Sequence, residues 1–95
     1  MDVAKDVAER LVKERLAACI NIIDGVLSIY WWNGRVEEAS ESLLLIKTRS
    51  ELFEKLKKRI VEVHPYETPE VVALKIEDGL KEYLEWIDES LGANI

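Results

Sequence analysis

Val26-Leu27-Ser28-Ile29-Tyr30-Trp31-Trp32-Asn33-Gly34-Arg35 reads as a strand entering a tight turn. Asn-Gly is the strongest short hairpin signal, because a type I′ turn needs positive φ at both central residues. It predicts a return strand from Arg35 to about Arg49, polar at first and apolar at Leu43-Leu44-Leu45-Ile46. Upstream, Cys19-Ile20-Asn21-Ile22-Ile23 is a second apolar strand run, and Asp24-Gly25 between the two runs marks a bend or bulge. A two-residue turn sets Tyr30 opposite Glu37 and Ile29 opposite Glu38.

Outward from the hairpin the period changes. Val3, Val7, Ala8 and Leu11 recur at helical spacing and predict a helix over 2–16, with Asp2 as its N-cap. After the return strand, Ser50 is expected to cap a helix over 51–63, whose apolar stripe is Leu52, Phe53, Leu56, Ile60 and Val63. His64-Pro65-Tyr66-Glu67-Thr68-Pro69-Glu70 follows. Its two prolines bias His64 and Thr68 out of helix, so the segment is a stiff connector presenting an imidazole, a phenol and carboxylates. Val71-Val72-Ala73-Leu74 predicts a strand from Glu70 to about Ile76. Gly79 ends it, and a last helix carries Leu80, Tyr83, Leu84 and Ile87 with Trp86 beside that stripe. The order α-β-β-α-β-α is that of one α+β domain over 1–95.

Ninety-five residues, nearly half of them hydrophobic, suffice for one small core. A net charge of −6 argues against a nucleic-acid partner. Lys55, Lys57, Lys58 and Arg59 share their helix with Glu51, Glu54 and Glu62 and read as a solvated face. No apolar run approaches the ~20 residues of a membrane span, and Asp2 and Lys5 interrupt any signal-peptide pattern. A single cysteine forms no internal disulfide, so a cytoplasmic location is the expectation. The absence of glutamine and the abundance of Glu, Lys and Arg lean toward a thermophilic source.

Length then points to assembly. Residues 17–32 as one strand span roughly 50 Å at about 3.3 Å per residue, whereas a compact domain of this size has a radius of gyration of about 12 Å. The hairpin is too long to lie wholly over one protomer unless the Asp24-Gly25 bend folds it back. Its tip carries Tyr30, Trp31 and Trp32, a large aromatic area to leave in water. The arm is therefore expected to pack on a neighbouring copy.

Ala17-Ala18-Cys19-Ile20-Asn21-Ile22, Ser28-Ile29-Tyr30-Trp31-Trp32-Asn33-Gly34, Leu45-Ile46-Lys47-Thr48 and His64-Pro65-Tyr66-Glu67-Thr68-Pro69-Glu70 resemble the successive signatures of the CutA divalent-cation tolerance proteins, and Tyr83-Leu84-Glu85-Trp86 fits as well. The resemblance runs from about Val3 to Leu91. It implies a ferredoxin-like α+β sandwich with an antiparallel sheet and a long hairpin arm, a homotrimer related in shape to PII signalling proteins, and an association with copper and other divalent metals. It also implies a strand before the first helix. These residues supply none, and its absence from the middle of the sheet would leave unpaired backbone. Either about ten residues are missing upstream, the favoured expectation being a misplaced start, or other backbone fills the gap.

Each candidate residue has a plainer role beside its functional one. Cys19 is a small hydrophobe of a strand or a soft ligand for Cu(I). His64 closes a helix or anchors a polar cleft with Tyr66 and Glu67. A metal site from Cys19 and His64 needs symmetry-related copies, since one Cys and one His fall short of the usual two to four protein ligands. Tyr30, Trp31 and Trp32 are interface core, or an aromatic wall for a small ligand between subunits. Lys47, at the end of an apolar run, either pairs with Glu37, Glu38 or Glu41 or binds an anion. If Lys47 and Glu67 approach Tyr30 in the assembly, then Tyr30, Trp32, Lys47, His64, Tyr66 and Glu67 line a cleft of mixed polarity.

No glycine-rich phosphate loop, GxSxG elbow or zinc-hydrolase histidine pair is present, and Cys19 within an apolar strand is a poor nucleophile. The chain is expected not to be an enzyme and to have no organic cofactor. The leading expectation is a trimeric tolerance protein acting by metal or small-ligand binding. The alternatives are a PII-like sensor or scaffold with an indirect link to metals, and an interaction protein whose exposed helices recruit a partner.

Overall fold

In a computed structural model, residues 2–64 and 69–92 are described. Their elements run α1 (Asp2–Lys13), β1 (Cys19–Trp32), β2 (Arg35–Lys47), a 3-10 turn (Ser50–Leu52), α2 (Phe53–Val63) and α3 (Lys81–Leu91). β1 and β2 form one antiparallel hairpin. Asn33 (φ 50°) and Gly34 (φ 73°) both take the positive φ that the turn requires. The register places Tyr30 opposite Glu37 and Ile29 opposite Glu38, as the two-residue turn dictates.

The hairpin has one irregularity. Ile23 pairs with Leu43 and Val26 with Glu41, so Asp24 and Gly25 together face Ser42 alone. This is a β-bulge. Gly25 supplies φ 71° and the Ser42 hydroxyl donates to Asp24 Oδ1 at 2.8 Å. That hydrogen bond holds the Asp24 carboxyl below the usual carboxylate range.

One core forms where α1 and α2 cross the base of the hairpin. Val7 and Leu11 of α1 meet Leu16, Ala17, Leu56 and Ile60, with Ile20 and Ile46 of the sheet at the rim. A second cluster joins Leu52 to Ile87 and Leu91 of α3, with Ala18 and Leu84 alongside. Ion pairs clamp the same region. Arg59 holds Glu14 through two bonds of 2.8 and 2.9 Å, joining α2 to the end of α1. Arg49 bridges Asp88 of α3 at 2.9 Å and Glu51 at 2.8 Å.

Four expectations about the elements change. The first helix stops at Lys13 rather than residue 16, and its end is a Schellman motif. Leu16 N–H donates to Leu11 O and Arg15 N–H to Val12 O, each at 3.0 Å, with Arg15 at φ 59°. The side chain exploits this unusual position, since Arg15 Nη1 donates to Ser90 O near the end of α3 at 2.7 Å.

Ser50 is not an N-cap. It lies inside the 3-10 turn, preceded by extended Arg49, and its hydroxyl bonds Glu51 Oε1 at 3.0 Å. Asp2 likewise lies in the first turn of α1. The strand expected over 70–76 does not form, and residues 69–80 have no regular secondary structure. Strand propensity acts only where a neighbour accepts the ladder, and the described sheet contains β1 and β2 alone. Val71 reaches the first core, whereas Val72, Leu74 and Ile76 are exposed.

The radius of gyration is 14.7 Å and the long dimension 45 Å, well above a compact domain of this length.

Candidate functional site

The bulge decides which side chains share a face. Before it, the pairs Cys19–Lys47, Asn21–Leu45 and Ile23–Leu43 lie on one side of the ribbon. The extra residue shifts the alternation on β1 by one, so Val26, Ser28, Tyr30 and Trp32 continue on that side. Glu41, Ala39, Glu37 and Arg35 stand opposite them. On this face, Ser28, Tyr30, Trp32, Ala39 and Glu41, with Ile29 at the edge, border an open concavity of about 770 Å³. Glu70, from the far end of the proline-bounded connector, closes its side. The tip rings are accessible: Trp31 is 74% and Trp32 61% exposed.

Lys47 and Cys19 face each other at the opposite end of the hairpin. Tyr30 is eleven positions along β1 from Cys19, about 35 Å of extended chain. One protomer therefore cannot bring Lys47 to Tyr30. The carboxylates considered as partners for Lys47 are also far. Even Glu41 lies six residues along the same strand, about 20 Å away, so the expected Lys47 ion pairs do not form within the chain. Any cleft holding both Tyr30 and Lys47 must be assembled from two copies.

Cys19 is half-buried, neither fully core nor free on the surface. The phenol of Tyr83 lies against it. Partial burial raises the Tyr83 hydroxyl above the usual tyrosine range, and the charge and hydrogen bond of the Cys19 side chain add to that rise. Tyr83 in turn stacks on Trp86 with ring centroids 5.6 Å apart. His64 takes extended geometry (φ −77°, ψ 131°) at the C-cap of α2, and its N–H donates to Ile60 O at 2.8 Å. This is the helix-closing role that the following proline predicts. Tyr66 and Glu67 lie outside the described residues.

Among the described residues, no group of three His, Cys, Asp or Glu side chains is placed to hold a metal ion. Cys19 and His64 belong to no such group among the described residues. No described helix is long and apolar enough to cross a membrane. In the basic cluster, Lys57 pairs with Glu54 at 3.1 Å and sits over the Phe53 ring, and Arg59 is engaged by Glu14.

Two residues were not singled out from sequence as site components. Glu70 lines the concavity, and the signal for it was its place in the connector. Tyr83 meets Cys19, and only the packing of α3 reveals that meeting.

These features define a small α+β protein with an antiparallel hairpin arm and an aromatic face near its tip. A family model described as CutA1 divalent ion tolerance protein matches residues 1–90, and the chain belongs to this family. The divalent-cation tolerance protein CutA of Thermus thermophilus is 53% identical over 91 residues, covering 96% of this chain and 88% of the relative. The structure of the periplasmic divalent cation tolerance protein CutA from Archaeoglobus fulgidus superposes with a TM-score of 0.92 at 43% identity, covering 96% of this chain and 88% of that one. That of CutA1 from Oryza sativa gives 0.92 at 43% identity over 95% and 83%.

Proposed function

We propose that this chain is a divalent-cation tolerance protein that acts by binding rather than catalysis, as a cytoplasmic homotrimer of ferredoxin-like protomers. The observation that carries the reading is the division of the hairpin. Its aromatic tip is open to water, while Lys47 and Cys19 sit about 35 Å away at its base. Burying the tip on a neighbouring copy covers the indoles and delivers Tyr30 and Trp32 to surfaces that no single protomer can complete. The names of the relatives supply the physiological role. Copper-type ions are then cargo, held where Cys19 or His64 of several copies converge.

The test is native mass spectrometry with copper titration. A trimer that takes up Cu(I) or Cu(II), and loses this uptake in a Cys19→Ser, His64→Ala double variant, supports the reading. A folded monomer overturns the assembly, and unchanged uptake in the double variant overturns the metal site.

A second reading draws on the concavity beside Tyr30, Trp32 and Glu70. Here the trimer is a PII-like sensor that binds a small ligand without metal, and its link to metal tolerance is indirect. Variants at Tyr30 or Trp32 then abolish function while Cys19→Ser does not.

A further inference from the structure

The concavity on the arm has a chemical bias that selects its ligand. Among the described residues, two rings, Tyr30 and Trp32, and two carboxylates, Glu41 and Glu70, line it together with Ser28, and no basic side chain does, Arg35 standing opposite Trp32 outside the lining. Carboxylates in excess of the nearby cations repel anions. Aromatic faces attract cations through their quadrupole, and do so best for diffuse, weakly hydrated ones. The net charge of −6 reinforces the same sign.

Ligand chemistry separates the kinds of cation. The open concavity of about 770 Å³ has room for an organic cation, whereas the described residues offer no cluster of three ligating side chains to chelate a metal ion. An alkylammonium ion needs no such cluster. Its methyl or methylene groups lie on the rings while its charge meets the carboxylates.

We propose that this concavity binds a small organic ammonium ion, either a quaternary ammonium or an aliphatic diamine, with Trp32 and Tyr30 as the ring wall and Glu41 and Glu70 as the counter-charges. The proposal rests on the ligand-cleft reading above and names the ligand class for it. The Lys47 ammonium enters the cleft only if another copy supplies it, so the sign of the preferred ligand tests how the cleft is built.

The experiment titrates the full chain with tetramethylammonium chloride and with putrescine dihydrochloride at constant ionic strength. Binding is followed by calorimetry and tryptophan fluorescence, with magnesium chloride and inorganic phosphate as comparison probes. The expected result is saturable binding of the two ammonium ions and none of magnesium or phosphate. Glu41→Gln, Glu70→Gln and Trp32→Leu should each weaken binding by roughly two- to fivefold. No saturable binding, a preference for phosphate, or equal affinity in all three variants overturns the proposal. Native mass spectrometry of the same samples separates the two readings. A trimer indifferent to ammonium ions removes the ligand class and leaves the assembly standing. A folded monomer that binds them keeps the ligand class and removes the intersubunit cleft.

Discussion

The helical base and the hairpin arm carry equally apolar side chains under opposite conditions. At the base, Leu11, Leu52 and Leu91 are all but sealed from solvent, and Arg49 and Arg59 lock the helices around them. Along the arm, Leu27, Ile29, Trp31 and Trp32 remain exposed. Burial of apolar area drives folding and association alike. The base buries its hydrophobic surface within the protomer, and the arm leaves its own exposed. Under the proposed trimer, stability of the single chain and stability of the assembly are encoded in separate regions, and substitutions should divide accordingly.

The largest effect is expected in the base. Leu11→Ala removes a fully buried side chain at the crossing of α1 and α2 and should cost about 2–5 kcal/mol in denaturant unfolding. A loss under about 1 kcal/mol would mean that the core is not closed there. Next comes the arm. Trp31→Ala should leave the secondary structure of the protomer intact while weakening self-association by about 2 kcal/mol or more, read as a dilution shift in sedimentation. If the association constant does not move, the contrast between the two regions collapses.

Smaller effects sharpen the contrast. Gly34→Ala imposes a side chain at φ 73° and should destabilise the hairpin by about 1 kcal/mol. Amide exchange should show the loss along β1 and β2 before α1. Arg15→Ala keeps the left-handed backbone but loses the bond to Ser90, for a cost of about 1 kcal/mol. Arg15→Gly should come out near neutral, because relief at φ 59° offsets the same loss.

The smallest effect is electrostatic and is strongest in the base. Hydrogen bonding to Arg49 lowers Glu51 to about 2 from an ordinary 4.5, and Arg59 lowers Glu14 in the same way. A depressed carboxylate contributes fully above its unfolded value and loses that contribution as pH falls through its folded one. The melting temperature should therefore decline from about pH 4.5 toward 2. Glu51→Gln should flatten that decline, as should high salt.

Local chemistry made much of this legible in advance. Asn33-Gly34 fixed both the turn and the register, Asp24-Gly25 marked the bulge, and the helical stripes named Leu11, Leu56, Ile60 and Ile87 as inward residues. Failures came where a neighbour decides. Val71 to Ile76 has strand composition, yet a strand is a relation between two chain segments, and no described partner meets it. Ser50 has the right side chain for a cap, but the chain had already begun to wind, so its hydroxyl turned to Glu51. The site was less legible than the fold. The register set by the turn already puts Lys47 at the opposite end of the hairpin from Tyr30, so a cleft holding both was expected only in an assembly. Glu70 and Tyr83 acquire roles only through contacts far apart in sequence.

The unpaired residue at Asp24-Gly25 makes the arm a parity device. Deleting it would turn every side chain beyond through half a revolution, sending Tyr30 and Trp32 to the back and bringing Ile29 and Trp31 forward, with the composition almost untouched. Arms of different reach could arise by adding residues in matched pairs to both strands, but a single insertion would invert what the tip displays. The length of this finger is thus free to drift only in even steps.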